Sequence, residues 1–143
     1  MRNIFMSRFA VLVLCITAVL ACGVQGTKAQ RTLPMKLLIF FDYQQTEMTK
    51  SAGPIIDAAV DVFKATGASS VRVVGHTDAA PSAEDSKRLS QQRADAVKSA
   101  LAAKGIPISA ITAVAAGKSD PMVKTPDGKR EPQNRRVEII ISK

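Results

Sequence analysis

The chain has 143 residues, 46% hydrophobic but only 4% aromatic, and a formal charge of +8, which allows one domain with a modest core and favours anionic partners. Two cysteines and one histidine exclude a thiolate or imidazole metal centre, and no spacing suggests several carboxylates converging on an ion, so neither metal nor cofactor is expected. Nor is there an activated nucleophile or a plausible catalytic base, which points away from an enzyme.

Arg2 and Arg8 precede an apolar run of twelve, AVLVLCITAVLA from Ala10 to Ala21, followed by small residues. That order describes a secretory signal over residues 1–21. Three fates compete for it. A peptidase could cut at Thr27-Lys28-Ala29, or the uncharged stretch between Arg8 and Lys28 could remain as a membrane anchor, or Cys22 could be lipidated. The anchor is disfavoured because Cys22, Gly23, Gln25, Gly26 and Thr27 leave its apolar part short of the ~20 residues a spanning helix needs. Val19-Leu20-Ala21-Cys22 resembles the lipobox of bacterial lipoproteins, which implies acylation of Cys22, and the absence of an aspartate after it implies the outer membrane. Cys15 falls inside the signal, so the mature domain has no disulfide. Without Arg2 and Arg8 the chain keeps 18 basic against 12 acidic residues, a net +6.

Residues 22–34 are polar and aperiodic and form a tether. The domain, residues 35–143, then alternates strand and helix signals. MKLLIFFD from Met35 to Asp42 is an apolar run of strand length. Ile56, Ala59, Val60 and Phe63 line one helical face, with Pro54 in the first turn and Gly67 just past the end. SVRVVG from Ser70 to Gly75 is a second strand, and Ser82 to Lys104 a long helix stopped by Gly105 and Pro107. Ile111 to Ala116 makes a third strand; Val137 to Ser142, alternating in Val137, Ile139 and Ile141, makes a fourth. The order β-α-β-α-β-β predicts an α+β two-layer sandwich with a mixed four-stranded sheet covered on one face by helices. Each crossover favours parallel neighbours, while the polar segment before the last strand can return it antiparallel.

One residue of the long helix breaks its pattern. On a 100° wheel with Leu89 at zero, Arg93 falls at about 40°, inside the arc of Ala96, Ala100, Val97 and Leu101. An unpaired buried guanidinium is costly, so Arg93 needs a partner.

GHTD at 75–78, LSQQRADAV at 89–97, AAGKSDP at 115–121 and NRRVEI at 134–139 together resemble the C-terminal domain of OmpA, shared with peptidoglycan-associated lipoprotein and flagellar MotB. The resemblance covers about 110 residues. It implies noncovalent binding of peptidoglycan through the diaminopimelate of the stem peptide, tethering the outer membrane to the wall. Family positions for an aspartate ending the second strand and an arginine fifteen residues later are Asp78 and Arg93. The chemistry is reasonable by itself: a zwitterion needs one anion for its ammonium and one planar fork for its carboxylate, which lysine cannot supply. Alternatively, Asp78 and Arg93 pair with each other or with Asp42. The sequence departs from the family in placing Pro81 where a glycine is usual and Ser86 where an asparagine is usual, so the loop 79–86 should take a different path.

Other residues carry two readings each. Asp42 ends the first strand where the family's site wall lies; Thr77 offers a hydroxyl or merely ends a strand; Leu89 is core or touches aliphatic stem atoms. Of Arg135 and Arg136, alternation points one inward, and Arg135 is favoured to buttress the site or take a carboxylate. His76 is expected to be a strand residue with a satisfied ring. GKS at 117–119 is no phosphate loop, since Thr112 stands where a glycine is required. A nucleic-acid binder is disfavoured by export and by the lack of stacking aromatics. The remaining alternatives are a wall-anchoring subunit of an envelope complex, such as a stator or secretion system with further protein partners, and a secreted basic polyanion binder.

Overall fold

A computed structural model describes residues 33–143. The expected signal 1–21, Cys22 and the tether up to residue 32 lie outside the described residues. Four strands and two helices follow in the expected order: β1 (Met35–Phe40), α1 (Ala52–Thr66), β2 (Ser70–His76), α2 (Ala83–Ala103), β3 (Ile111–Gly117) and β4 (Arg136–Ser142). Short 3₁₀ turns at Ile108–Ala110 and Pro132–Asn134 lead into β3 and β4.

Helix boundaries follow from local chemistry. Ser82 caps α2 by accepting the Asp85 N–H at 3.1 Å, and Glu84 and Asp85 place negative charge at the positive end of the helix dipole. The α1 helix ends at Gly67, whose left-handed φ of 62° lets the Ala68 N–H reach the Phe63 carbonyl at 3.1 Å.

The sheet order is β1-β4-β2-β3, with β2 and β3 parallel and β4 antiparallel to both its neighbours. Thus only the second crossover delivers parallel neighbours. The first does not, because β4 inserts between β1 and β2 and pairs with both. One row across the sheet, Ile39, Val137, Ile139, Val71 and Val73, faces Ile56, Ala59 and Val60 of α1 and Ala94, Val97 and Leu101 of α2. These residues are 0–5% exposed and form one core, so the compact unit Thr32–Lys143 closes its apolar interior from its own residues. The opposite row, Leu38, Glu138 and Val74 with Phe40 and Arg136, lies on the helix-free face.

Two further features position the end of β2. Its pairing with β3 slips by one residue between Gly75, opposite Ala115, and His76, opposite Gly117, leaving Ala116 of β3 as the extra residue. Asn134 is fully buried and clamps Val123 from both sides, accepting its N–H at 2.8 Å and donating to its carbonyl at 2.7 Å, which organises the long connection between β3 and β4.

Gly75 is where α2 crosses β2: a Cβ there would collide with the backbone carbonyl of Ser90. Backbone cannot rotate away as a side chain can, so the helix would have to lift off the sheet. Gly75→Ala should therefore lower stability by about 1–3 kcal/mol or more, read as a shift in the denaturant midpoint with unchanged slope.

Candidate functional site

Asp78 and Arg93 meet at one end of the sheet, Asp78 just past β2 and Arg93 in the middle of α2. Both are almost without exposed surface, at 1% and 0%. They do not pair with each other. The Asp78 carboxylate accepts from Arg135 Nη1 at 3.2 Å, with the backbone N–H groups of Ala80 and Glu131 each at 3.4 Å.

Arg93 finds its partners in the backbone. Its Nε donates to the Gln45 carbonyl at 2.8 Å, Nη2 to the Asp42 carbonyl at 2.9 Å, and Nη1 to the His76 carbonyl at 3.1 Å, while its Cζ sits 5.2 Å from the Phe41 ring centroid. The guanidinium therefore ties the ends of β1 and β2 to α2, and the interior position that looked anomalous on the helical wheel is a crosslink. Burial, and after it the Arg135 cation, lower its pKa to about 10, with Asp78 pulling the other way; it stays charged at neutral pH. Three of its five N–H groups are used, leaving one on each terminal nitrogen.

The other expected residues are distributed around this pair. Asp42 serves through its carbonyl and leaves its side chain exposed. Arg135 reaches inward, its Nε donating to the Phe41 carbonyl at 3.1 Å, whereas Arg136 turns to the helix-free face. Thr77 is buried with an unpartnered hydroxyl, as is Ser86 in α2. Leu89 is not core: it is half-buried on the wall of a cleft of about 600 Å³ shared with Tyr43, Gln44, Pro81, Arg88 and Gln92. Cys22 lies outside the described residues.

Sequence reasoning missed the turn at Gln44 and Gln45, and Arg130. Gln44 adopts a left-handed φ of 54° without being glycine, and Arg130 lies over the Tyr43 ring, 3.7 Å from its centroid. Neither has a sequence signal. A carbonyl acceptor is present at every residue, and Arg130 is one of many bases in a polar segment.

The OmpA family profile matches residues 40–135, which span this whole arrangement. The chain belongs to the OmpA family. Over 109 residues, 72% of the chain, this OmpA-family member is 36% identical to a Gloeobacter violaceus protein named photosystem I P700 chlorophyll a apoprotein A2, of which the match covers 12%. It is 35% identical over 99 residues to the peptidoglycan-associated lipoprotein of Haemophilus influenzae, covering 69% of this chain and 65% of that one. The chain thus spans less than two thirds of either curated relative. A solved structure of the peptidoglycan-associated lipoprotein from Burkholderia pseudomallei matches with a TM-score of 0.67 at 25% identity, covering 73% of this chain and 89% of that one. The α+β sandwich is that of OmpA-like domains.

His76, whose carbonyl holds Arg93, departs from expectation on its side-chain end. Both ring nitrogens are buried without a hydrogen-bond partner, and Nε2 lies 3.8 Å from Glu138 Oε1. Glu138 is instead held by Lys36 at 2.8 Å and Arg136 at 2.8 Å. Burial, followed by the Arg136 cation, lowers the His76 pKa below its ordinary 6.5; Glu138 and Asp120 oppose this, and Lys36 adds to it. The ring is therefore neutral in the folded domain at neutral pH. Where the unfolded chain is protonated and the folded one is not, unfolding takes up a proton, so stability falls as pH drops through 6.5 and levels off below the folded pKa. Chemical denaturation from about pH 7.5 to about pH 5.5 should show this loss, and His76→Phe should flatten it.

Proposed function

We propose that this domain binds peptidoglycan noncovalently, with Asp78 and Arg93 engaging the amino acid end of diaminopimelate in the stem peptide. The observation that carries the reading is that Asp78 and Arg93, from separate elements, lie buried at one end of the sheet, with Ala80, whose N–H faces Asp78, and Gln92, which precedes Arg93, lining a 600 Å³ cleft, and with one N–H left on each terminal nitrogen of Arg93. Two such donors are what a carboxylate accepts from an arginine fork. Asp78 supplies the opposite charge for the ligand ammonium, Arg135 holds that carboxylate in place, and Leu89 gives the cleft an apolar side for methylene groups. Asp42 and Thr77 stand next to this pair, the first with an exposed carboxylate and the second with an unpartnered hydroxyl. The name and similarity of the Haemophilus influenzae lipoprotein support the same reading.

The test uses the self-contained unit Thr32–Lys143, sedimented with insoluble diaminopimelate-type wall. Asp78→Asn keeps the shape and removes the charge, so affinity should fall about thirtyfold or more, as expected for about 2–5 kcal/mol at a desolvated charge pair. Arg93→Lys should also be defective, but Arg93 supports the fold as well, so its circular dichroism and denaturation midpoint must be read alongside. Equal sedimentation of Asp78→Asn and wild type would place the site elsewhere.

We further propose an outer-membrane lipid anchor at Cys22, facing the domain to the periplasm. The support is the basic start, the short apolar run and the small-residue junction before the cysteine. Mass spectrometry of the mature protein should find an acylated N-terminal Cys22; an unmodified chain starting at Gln30 would rule the anchor out while leaving export intact.

A further inference from the structure

Asp78 and Arg93 have 1% and 0% exposure, so any ligand that touches both must first displace something that covers them. Two segments do the covering. The turn 42–45 runs along Arg93, whose Nη2 and Nε are held by the Asp42 and Gln45 carbonyls at either end of it. The segment 128–131 runs along Asp78: the Gly128 N–H donates to the Ala79 carbonyl at 2.9 Å, and the Glu131 N–H points to Asp78 Oδ2 at 3.4 Å. Tyr43 belongs to the first segment and Arg130 to the second, and they meet in the 3.7 Å stack.

We propose that the Tyr43–Arg130 stack is a latch that holds these segments together over the Asp78–Arg93 site and parts to admit the ligand, a role that rests on the peptidoglycan reading above. Three observations support movement at this place rather than elsewhere. The turn is poised to change, because Gln44 at φ 54° occupies a backbone region that non-glycine residues populate sparsely, and the Gln45 N–H to Asp42 carbonyl bond that closes it is 3.2 Å long. Tyr43 and Gln44 also form one wall of the 600 Å³ cleft, so swinging the turn outward joins the cleft to the buried pair. Finally, Arg130 is exposed and makes no ion pair among the described residues, so the ring is its partner in the closed state.

The magnitude suits a latch. A cation–π contact at an exposed site shifts an open–closed equilibrium by about two- to fivefold, enough to measure and small enough for a ligand to overcome. If the closed form dominates, apparent affinity is reduced by the fraction that is open, and removing the latch raises it. Lysine in place of Arg130 keeps the charge but not the planar stack, which separates latch from electrostatics.

The chain offers its own probe: Tyr43 is the single tyrosine and there is no tryptophan, so intrinsic emission reports the latch alone. In the unit Thr32–Lys143, acrylamide should quench Tyr43 more strongly in Arg130→Ala and Arg130→Lys than in wild type. A soluble diaminopimelate-containing muropeptide should raise quenching in wild type towards the variants. Both variants should bind that muropeptide about two- to fivefold more tightly, through faster association. Equal quenching in wild type and variants would overturn the latch whatever the ligand does. Weaker binding by the variants would overturn it too, and would make Arg130 a ligand contact. If wild type and variants all fail to bind the muropeptide, the peptidoglycan reading falls and takes the gating role with it, even where the quenching difference marks the stack itself.

Discussion

The buried guanidinium of Arg93 is the constraint on which this end of the domain depends. A charge at zero exposure needs hydrogen-bond partners, and here three backbone carbonyls from two places in the chain take three of its five N–H groups. Those carbonyls belong to the turn after β1 and to the last residue of β2. The same contacts that satisfy the charge therefore fix where the neighbouring Asp78 stands. Fold and proposed site share one crosslink, so a change at Arg93 acts on both.

Around it, charge is handled in two separate compartments on either face of the sheet. Arg135 serves Asp78 on the site side; Arg136, one residue on, serves Glu138 on the helix-free side, where Lys36 also arrives. Burial alone would raise the Glu138 pKa, but hydrogen bonds from Lys36 and Arg136 outweigh it and hold the carboxylate below its ordinary value. Three consecutive side chains thus act in three directions. Asn134 orders the loop by clamping Val123, Arg135 pairs with the site carboxylate, and Arg136 neutralises the far face. His76 joins the compartments, its carbonyl on Arg93 and its ring beside Glu138.

Of the two departures from the family pattern, one lies on the cleft and one is buried in α2. Pro81 lines the cleft, and Ser86 is buried with its hydroxyl unpartnered, where an asparagine amide would bring a donor and an acceptor. Tyr43 lines the same cleft and carries Arg130 on its ring.

The sequence by itself determined the element order, because helical and strand periodicities, the Ser82 cap and the Gly67 stop are local properties of short stretches. It also singled out Arg93 as a charge that must be paired, and Asp78 as its companion through the family motifs. Sequence did not reveal that β4 separates β1 from β2, since strand order is a matter of nonlocal pairing. Nor did it decide between the core and the cleft for Leu89, or reveal that the ring of His76 lacks partners. The identity of the acceptors of Arg93 was beyond it for a plain reason. They are main-chain carbonyls, which every residue has, and only the tertiary fold decides which of them point at the charge.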